Sequence, residues 1–365
     1  MLRTSYEWIS KLAAGSTVIT NMQLETIIED AILNGDACNL ANCDAHCRLI
    51  TRAIDELINN NFSSNEEVRK LLCDLIGRHT YGAFAELAAY DWLTRCHLRI
   101  ATQVTMTSSD VLSKNGSKLD GKIELSGSYF DVKAFGSNGR LAQRLKERLE
   151  EEITDEQVLV EDSWDISFET FSCLIKSASN IAAELRKKRM VQFGRLRIRL
   201  EAKKPVTVSS RSVDPYCLAK ENALYLFKDA NQFTRNSPFI LICIIHPWFN
   251  ALSIHDDFAG VDTTFTRSLA RRAFMQFSTD LTPLNSICEK APPDVTLADA
   301  SQLLSAIFFV NIWPLDADIS ITSRMPSWLY LNPRAMHRIT YGQLNCYRGN
   351  NPHGTYIDDF TNDDY

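Results

Sequence analysis

Two stretches of this chain, 238–245 and 306–312, are almost wholly apolar, and they constrain its fold more than any other feature. Both are far too short to span a bilayer, and both read as buried strands. A chain of 365 residues suits one large domain or two. With 45% hydrophobic and 23% charged residues it has an ordinary globular composition. That is enough apolar material for a core without a disulfide or metal staple.

Helical periodicity dominates the first eighty residues. Leu24, Ile27, Ile28, Ala31 and Ile32 recur at helical spacing before Asn34-Gly35, and Leu49, Ile50, Ala53, Ile54, Leu57 and Ile58 repeat the pattern. A third helix follows Ser64, with Glu66 and Glu67 in its first turn, where carboxylates complement the helix dipole. The character changes after Gly82. A strong helix pattern over 83–96 carries Glu86 at an interior position. Strands over 119–125 and 129–134 follow, joined at Ser126-Gly127 in a hairpin. Further on, 140–152 reads as helix, 166–175 as strand, 180–189 as helix and 196–200 as strand. Asp214-Pro215 opens another helix, expected to run through Leu224, Leu226 and Phe227 to about Gln232, and a last one is expected near 268–277. This order predicts an α/β fold with a mixed central sheet flanked by helices. The expected division is an N-terminal helical module over 1–78, a core over 79–135 and 213–320, a basic insertion over 136–212, and a C-terminal extension over 321–365 with an acidic tail.

The hairpin carries the chemistry. Along its first strand Leu119, Ile123 and Leu125 point one way and Asp120, Lys122 and Glu124 the other. Along its second, Phe130, Val132 and Ala134 share one face and Tyr129, Asp131 and Lys133 the opposite one. A tight turn therefore sets Asp120 and Asp131 side by side, where two carboxylates repel unless a cation lies between them. Hard oxygen donors with room for water suit Mg²⁺ or Mn²⁺. Lys133 falls on the same face, where it can orient or deprotonate a water or neutralise charge on a phosphate. Glu86 adds a third carboxylate from the preceding helix. The plainer alternative is a solvated hairpin with a cross-strand Asp–Lys pair.

Glu86 on a helix, Asp120 on one strand and Asp131-Val132-Lys133 on the next resemble the PD-(D/E)xK nuclease superfamily. The resemblance covers 82–134 by motif and 213–312 by element order. It implies a restriction-endonuclease-like core in which Asp120, Asp131 and the main-chain carbonyl of Val132 bind metal, Lys133 is catalytic and Glu86 takes the place of the helix acid. Leu119 rather than proline precedes Asp120, and no glutamine closely follows Lys133. The expected activity is Mg²⁺-dependent (or Mn²⁺-dependent) endonucleolytic cleavage of DNA, in a restriction or phage-defence setting. A homodimer or a defence-system partner is part of that expectation. The rivals are a non-catalytic nucleic-acid-binding or scaffold protein with a nuclease-like fold, and a transposon or repair nuclease that needs a partner.

The net charge of −6 gives no overall attraction to nucleic acid, but the cations are unevenly spread. Arg186, Lys187, Lys188, Arg189, Arg195, Arg197, Arg199, Lys203 and Lys204 crowd one segment in which Glu201 is the only acid before Arg211. Phosphate contact is the expected use, with Lys220 a further candidate. Cys38, Cys43, Cys47 and His46 match no common zinc spacing, and His79 and His246 read as structural. There is no phosphate-binding P-loop, metalloprotease helix or nucleophile elbow. Residues 1–15 lack an apolar run behind a basic start, so no export signal is expected, and the ten cysteines are expected as reduced thiols in a cytoplasm, away from membranes.

Overall fold

The computed structural model describes residues 5–18, 40–77, 79–135, 138–161, 168–194, 196–203, 215–245, 261–312, 327–339 and 355–356. The chain divides into two compact units, one over Met1–Ala134, Ala223–Ile245 and Thr266–Tyr365 and the other over Phe135–Asn222 and His246–Phe265.

The first unit begins with α1 (Ser5–Leu12), α2 (Asp44–Asn59), α3 (Asn65–Ile76) and α4 (Thr80–Arg95). The expected helix around 24–32 lies outside the described residues. Ser64 caps α3 in a reciprocal box with Glu67, which satisfies two amides that the first turn leaves open. Helix α4 is buried almost all round, Glu86 being an exception on its inner turns. Arg52 on α2 grips Asp91 on α4 through two nitrogens, and Arg95 stands 3.6 Å from the same carboxylate.

The sheet of this unit is mixed. Strands β1 (Ile100–Met106), β2 (Ser117–Ile123) and β3 (Ser128–Phe135) run antiparallel in succession. Beyond β3 lie β7 (Phe239–Ile245), β8 (Leu304–Asn311), β9 (Ser327–Leu331) and the short β10 (Thr355–Tyr356), in that order. β7 and β8 pair in parallel, β8 and β9 antiparallel. Every residue of β7 and β8 is buried, as their unbroken apolar runs require. The cause is cover on both faces. Trp92 of α4 meets Phe308 edge-on at 5.0 Å. On the opposite face, Thr266 of α9 (Val261–Arg271) hydrogen-bonds Tyr330 at 3.0 Å. The short helix before β8, Leu297–Leu303, is capped by a Thr296–Asp299 box.

The second unit holds α5 (Asn138–Glu152), β4 (Glu156–Glu161), α6 (Phe168–Lys176), α7 (Ala178–Lys188), β5 (Met190–Phe193), β6 (Leu196–Ala202) and α8 (Pro215–Asn222). Its antiparallel sheet has the order β4-β6-β5. Leu145, Leu149, Val158, Ile181, Leu185 and Ile198 centre a core of its own. The strand expected over 166–175 is wrong where the chain is described, because α6 occupies Phe168–Lys176. Leu174 and Ile175 turn into the same core as Ala178 and Ile181, a helical spacing that overrides the local β propensity. Among the described residues, no helix is long and apolar enough to cross a membrane.

Candidate active site

Glu86, Asp120, Asp131 and Lys133 all belong to the first unit. The β2–β3 register pairs Gly121 with Phe130, which carries Asp120 to the position facing Asp131 one residue on. Gly121 makes this hairpin possible. A β-carbon there would stand 2.4 Å from the Phe130 ring, so only a hydrogen lets that buried ring lie over the strand.

The two carboxyls face each other across the hairpin, and the Val132 amide donates to Asp120 Oδ2 at 2.6 Å. Asp131 is only 7% exposed. Burial, then the neighbouring Asp120, pushes Asp131 well above the usual carboxylate range. Burial, then Glu86, lifts Asp120 to about 7, against the lowering pull of Asp131, the Val132 amide and Lys133. Glu86 is lifted to about 7 as well, by burial and then by Asp131 and Asp74. A shared proton is the natural resting state of such a pair, and a cation would replace it.

Lys133 is 4% exposed, so the hairpin is not a solvated surface ribbon. Its ammonium does not pair across the strands but reaches Asp229, a residue distant in sequence. It also lies 5.6 Å from the centre of the Tyr225 ring. The Tyr225 hydroxyl donates to the Ala134 carbonyl at 2.8 Å, tying this segment to the end of β3. Burial acts to lower the Lys133 pKa, but Asp229, Tyr225 and Asp131 outweigh it and hold the group charged. Asp229 in turn is held below its ordinary value, chiefly by Lys133. Neither Asp229 nor Tyr225 was anticipated from sequence. Their segment lies where a helix running on to about Gln232 is expected, but that helix ends at Asn222 and gives way to the 3-10 turns Ala223–Phe227 and Ala230–Gln232.

Tyr90, fully buried on α4, donates its hydroxyl to the Asp120 carbonyl at 2.9 Å. A cleft of about 120 Å³ opens beside Asp120 and Glu86, with Lys70, Glu67, Asp74 and Lys118 also in its walls.

Among the described residues, no three His, Cys, Asp or Glu side chains form a ready-made metal cluster. The donor set here is smaller, two abutting carboxyls, and that suits an ion which keeps several waters. Mg²⁺ commonly binds one or two carboxylates and completes its shell with water and substrate phosphate. The residues fit such an ion.

The cations assigned to nucleic acid lie in the second unit. Arg186, Lys187 and Lys188 occupy the last turn of α7, and Arg189 caps it in the left-handed region. Arg197 and Arg199 face away from buried Leu196, Ile198 and Leu200 on β6, as alternation predicts. Arg195 and Lys204 lie outside the described residues. Much of this charge is partnered. Arg199 pairs with Glu161 at 2.8 Å and with Glu201, Lys188 with Glu184 at 2.6 Å, and Arg189 with Glu156. Arg186 and Lys203 donate to the carbonyls of Glu152 and Thr154. Exposed pairs of this kind are worth little, and phosphate can compete for them. Lys220 is exposed in the last turn of α8.

His46 is buried edge-on against Phe84 at 5.2 Å, and Cys47 donates to the Leu40 and Ala41 carbonyls, which is the setting of packed side chains rather than a zinc site. His79 precedes α4 as its N-cap residue without a side-chain cap, and His246 lies outside the described residues.

Compared with known proteins, the chain matches no family model, no curated protein and no solved structure.

Proposed function

We propose that this chain is a Mg²⁺- or Mn²⁺-dependent endonuclease of DNA with a restriction-endonuclease-like core. The observation that carries the reading is half-buried Asp120 facing buried Asp131, with the charged Lys133 two residues further on. Asp120, Asp131 and the main chain at Val132 would hold the ion, and Glu86 would support it. A bound divalent cation supplies Lewis-acid polarisation of a phosphoryl oxygen and a more acidic water. The protein's own part is positional and electrostatic. Lys133, kept protonated, offers an N–H to a non-bridging phosphoryl oxygen and offsets the charge that gathers there. Glu86, near 7, can accept a proton from a water at neutral pH. The outward arginines of β6 and the α7 terminus would contact the phosphate backbone. A restriction or phage-defence role, alone, as a homodimer or with a partner protein, is the setting that suits these parts.

The test is incubation of plasmid, single-stranded DNA and RNA with Mg²⁺, Mn²⁺ or EDTA, alongside Asp131→Ala and Lys133→Ala. Metal-dependent cutting that both variants lose supports the reading, provided Lys133→Ala still folds and binds DNA. Cutting by Lys133→Ala at the wild-type rate overturns the assignment. A non-catalytic binder is the second reading, motivated by the absence of a three-ligand cluster among the described residues. In that case Mn²⁺ leaves the melting temperature of the wild type unchanged.

A further inference from the structure

Four described residues other than glycine have positive φ: Asn61, His97, Gln103 and Arg189. Three of them sit in turns or at a helix end, whereas Gln103, at φ 53°, lies inside strand β1. L-residues with long side chains resist this conformation, and it persists only where the surroundings impose it. Here they do. The preceding residue, Thr102, is pinned by both its amide and its hydroxyl to the Phe62 carbonyl, at 3.2 and 2.9 Å. The ladder with β2 is intact on either side, Thr102 opposite Gly121 and Val104 opposite Leu119, and skips the step at which Gln103 faces Asp120.

The side chain makes use of that turn in the backbone. Gln103 Nε2 donates to Glu86 Oε2 at 3.2 Å. Tyr90 donates to the Asp120 carbonyl. One strained residue on the strand beside Asp120 therefore reaches the helix carboxylate, while Tyr90 of the same helix ties to the Asp120 main chain. A regular β conformation would leave this register position without the break that the contact exploits.

We propose that Gln103 is a positioning residue for Glu86, and that its backbone strain is retained to aim the amide at that carboxylate. The inference rests on the reading of Glu86, Asp120 and Asp131 as a cation site. Outer partners of this kind commonly set metal affinity by tenfold or more. The experiment is Mn²⁺ titration of the full chain without substrate, by calorimetry, for wild type, Gln103→Gly, Gln103→Glu and Asp131→Ala. Glycine accepts φ 53° freely but has no amide, and glutamate keeps size and strain but opposes Glu86 with a carboxylate. The expected result is a rise of about tenfold or more in the Mn²⁺ dissociation constant for Gln103→Gly, and a smaller rise or none for Gln103→Glu, whose added carboxylate itself attracts the cation. Gln103→Gly should also melt no lower than wild type in EDTA, which a merely structural glutamine would not allow. Wild-type Mn²⁺ affinity in Gln103→Gly overturns the proposal. Wild type that takes up no more Mn²⁺ than Asp131→Ala overturns the cation site itself, and the inference with it, a pattern distinct from loss confined to Gln103.

Discussion

Replacing Asp120 with asparagine should make the protein more stable at pH 8 while removing the divalent-cation affinity proposed for the site. Asp120 rises from an ordinary 3.8 to about 7 in the folded chain. A carboxyl raised on folding favours the folded state most when protonated, so its contribution falls as pH climbs from about 4 to about 7. Above that window the full shift corresponds to about 4 kcal/mol against the fold. Asp120 is partly open to water and accepts the Val132 amide, so we take about 2 kcal/mol as the part that asparagine recovers. For a unit of this size, that is about 4–8 °C in melting temperature. Thermal melts of wild type and Asp120→Asn in EDTA at pH 4, 6 and 8 measure it. The difference should be near zero at pH 4, where asparagine mimics the protonated acid, and should grow toward pH 8. Saturating Mn²⁺, by contrast, should stabilise wild type by about 3 kcal/mol at a hundredfold excess over its dissociation constant and leave the variant unmoved. A variant that is less stable at pH 8, or equally shifted at every pH, refutes the argument.

Other outcomes follow from the packing. Asp91→Ala strands Arg52 and Arg95 beside a buried site and should lower stability by about 3–5 kcal/mol, read by urea denaturation. Gly121→Ala forces a β-carbon against the Phe130 ring and should cost about 1–3 kcal/mol, with loss of cation binding as the hairpin shifts. Burial lowers His46 from 6.5 to about 4, so stability is full above the upper value and declines by about 3 kcal/mol as pH falls to the lower one. Urea midpoints for wild type minus His46→Leu at pH 7, 5.5 and 4 check this, and a flat difference counts against it.

Much of the site could be read before the fold was known, because alternation alone puts Asp120, Asp131 and Lys133 on one face of a hairpin. The two strands come out at Ser117–Ile123 and Ser128–Phe135, close to the expected bounds. What alternation does not reveal is depth. The face expected to be polar is buried at Asp131 and Lys133, while Val132 on the other face is only half-buried. Asp229 and Tyr225 were illegible for a different reason, since they meet Lys133 through tertiary packing of an irregular segment. Gln103 carries no mark at all, being neither glycine nor asparagine. Strand β4 hides in Glu156–Glu161, whose apolar residues are too few to register, and α6 hides behind residues that favour strands.

Lys133 and Asp229 are separated by 96 residues, and the larger segment of the second unit, Phe135–Asn222, is threaded between them. A ribosome adding roughly 5–20 residues per second exposes the carboxylate pair and the lysine several seconds before the partner of that lysine exists. During that interval the ammonium lacks its anchor. Chains halted after the inserted unit should therefore carry the acidic hairpin without a fixed lysine, a built-in delay between making the site and arming it. Under the proposed nuclease function, such a delay would be a property of chain order, set by where the insertion falls rather than by any residue within it.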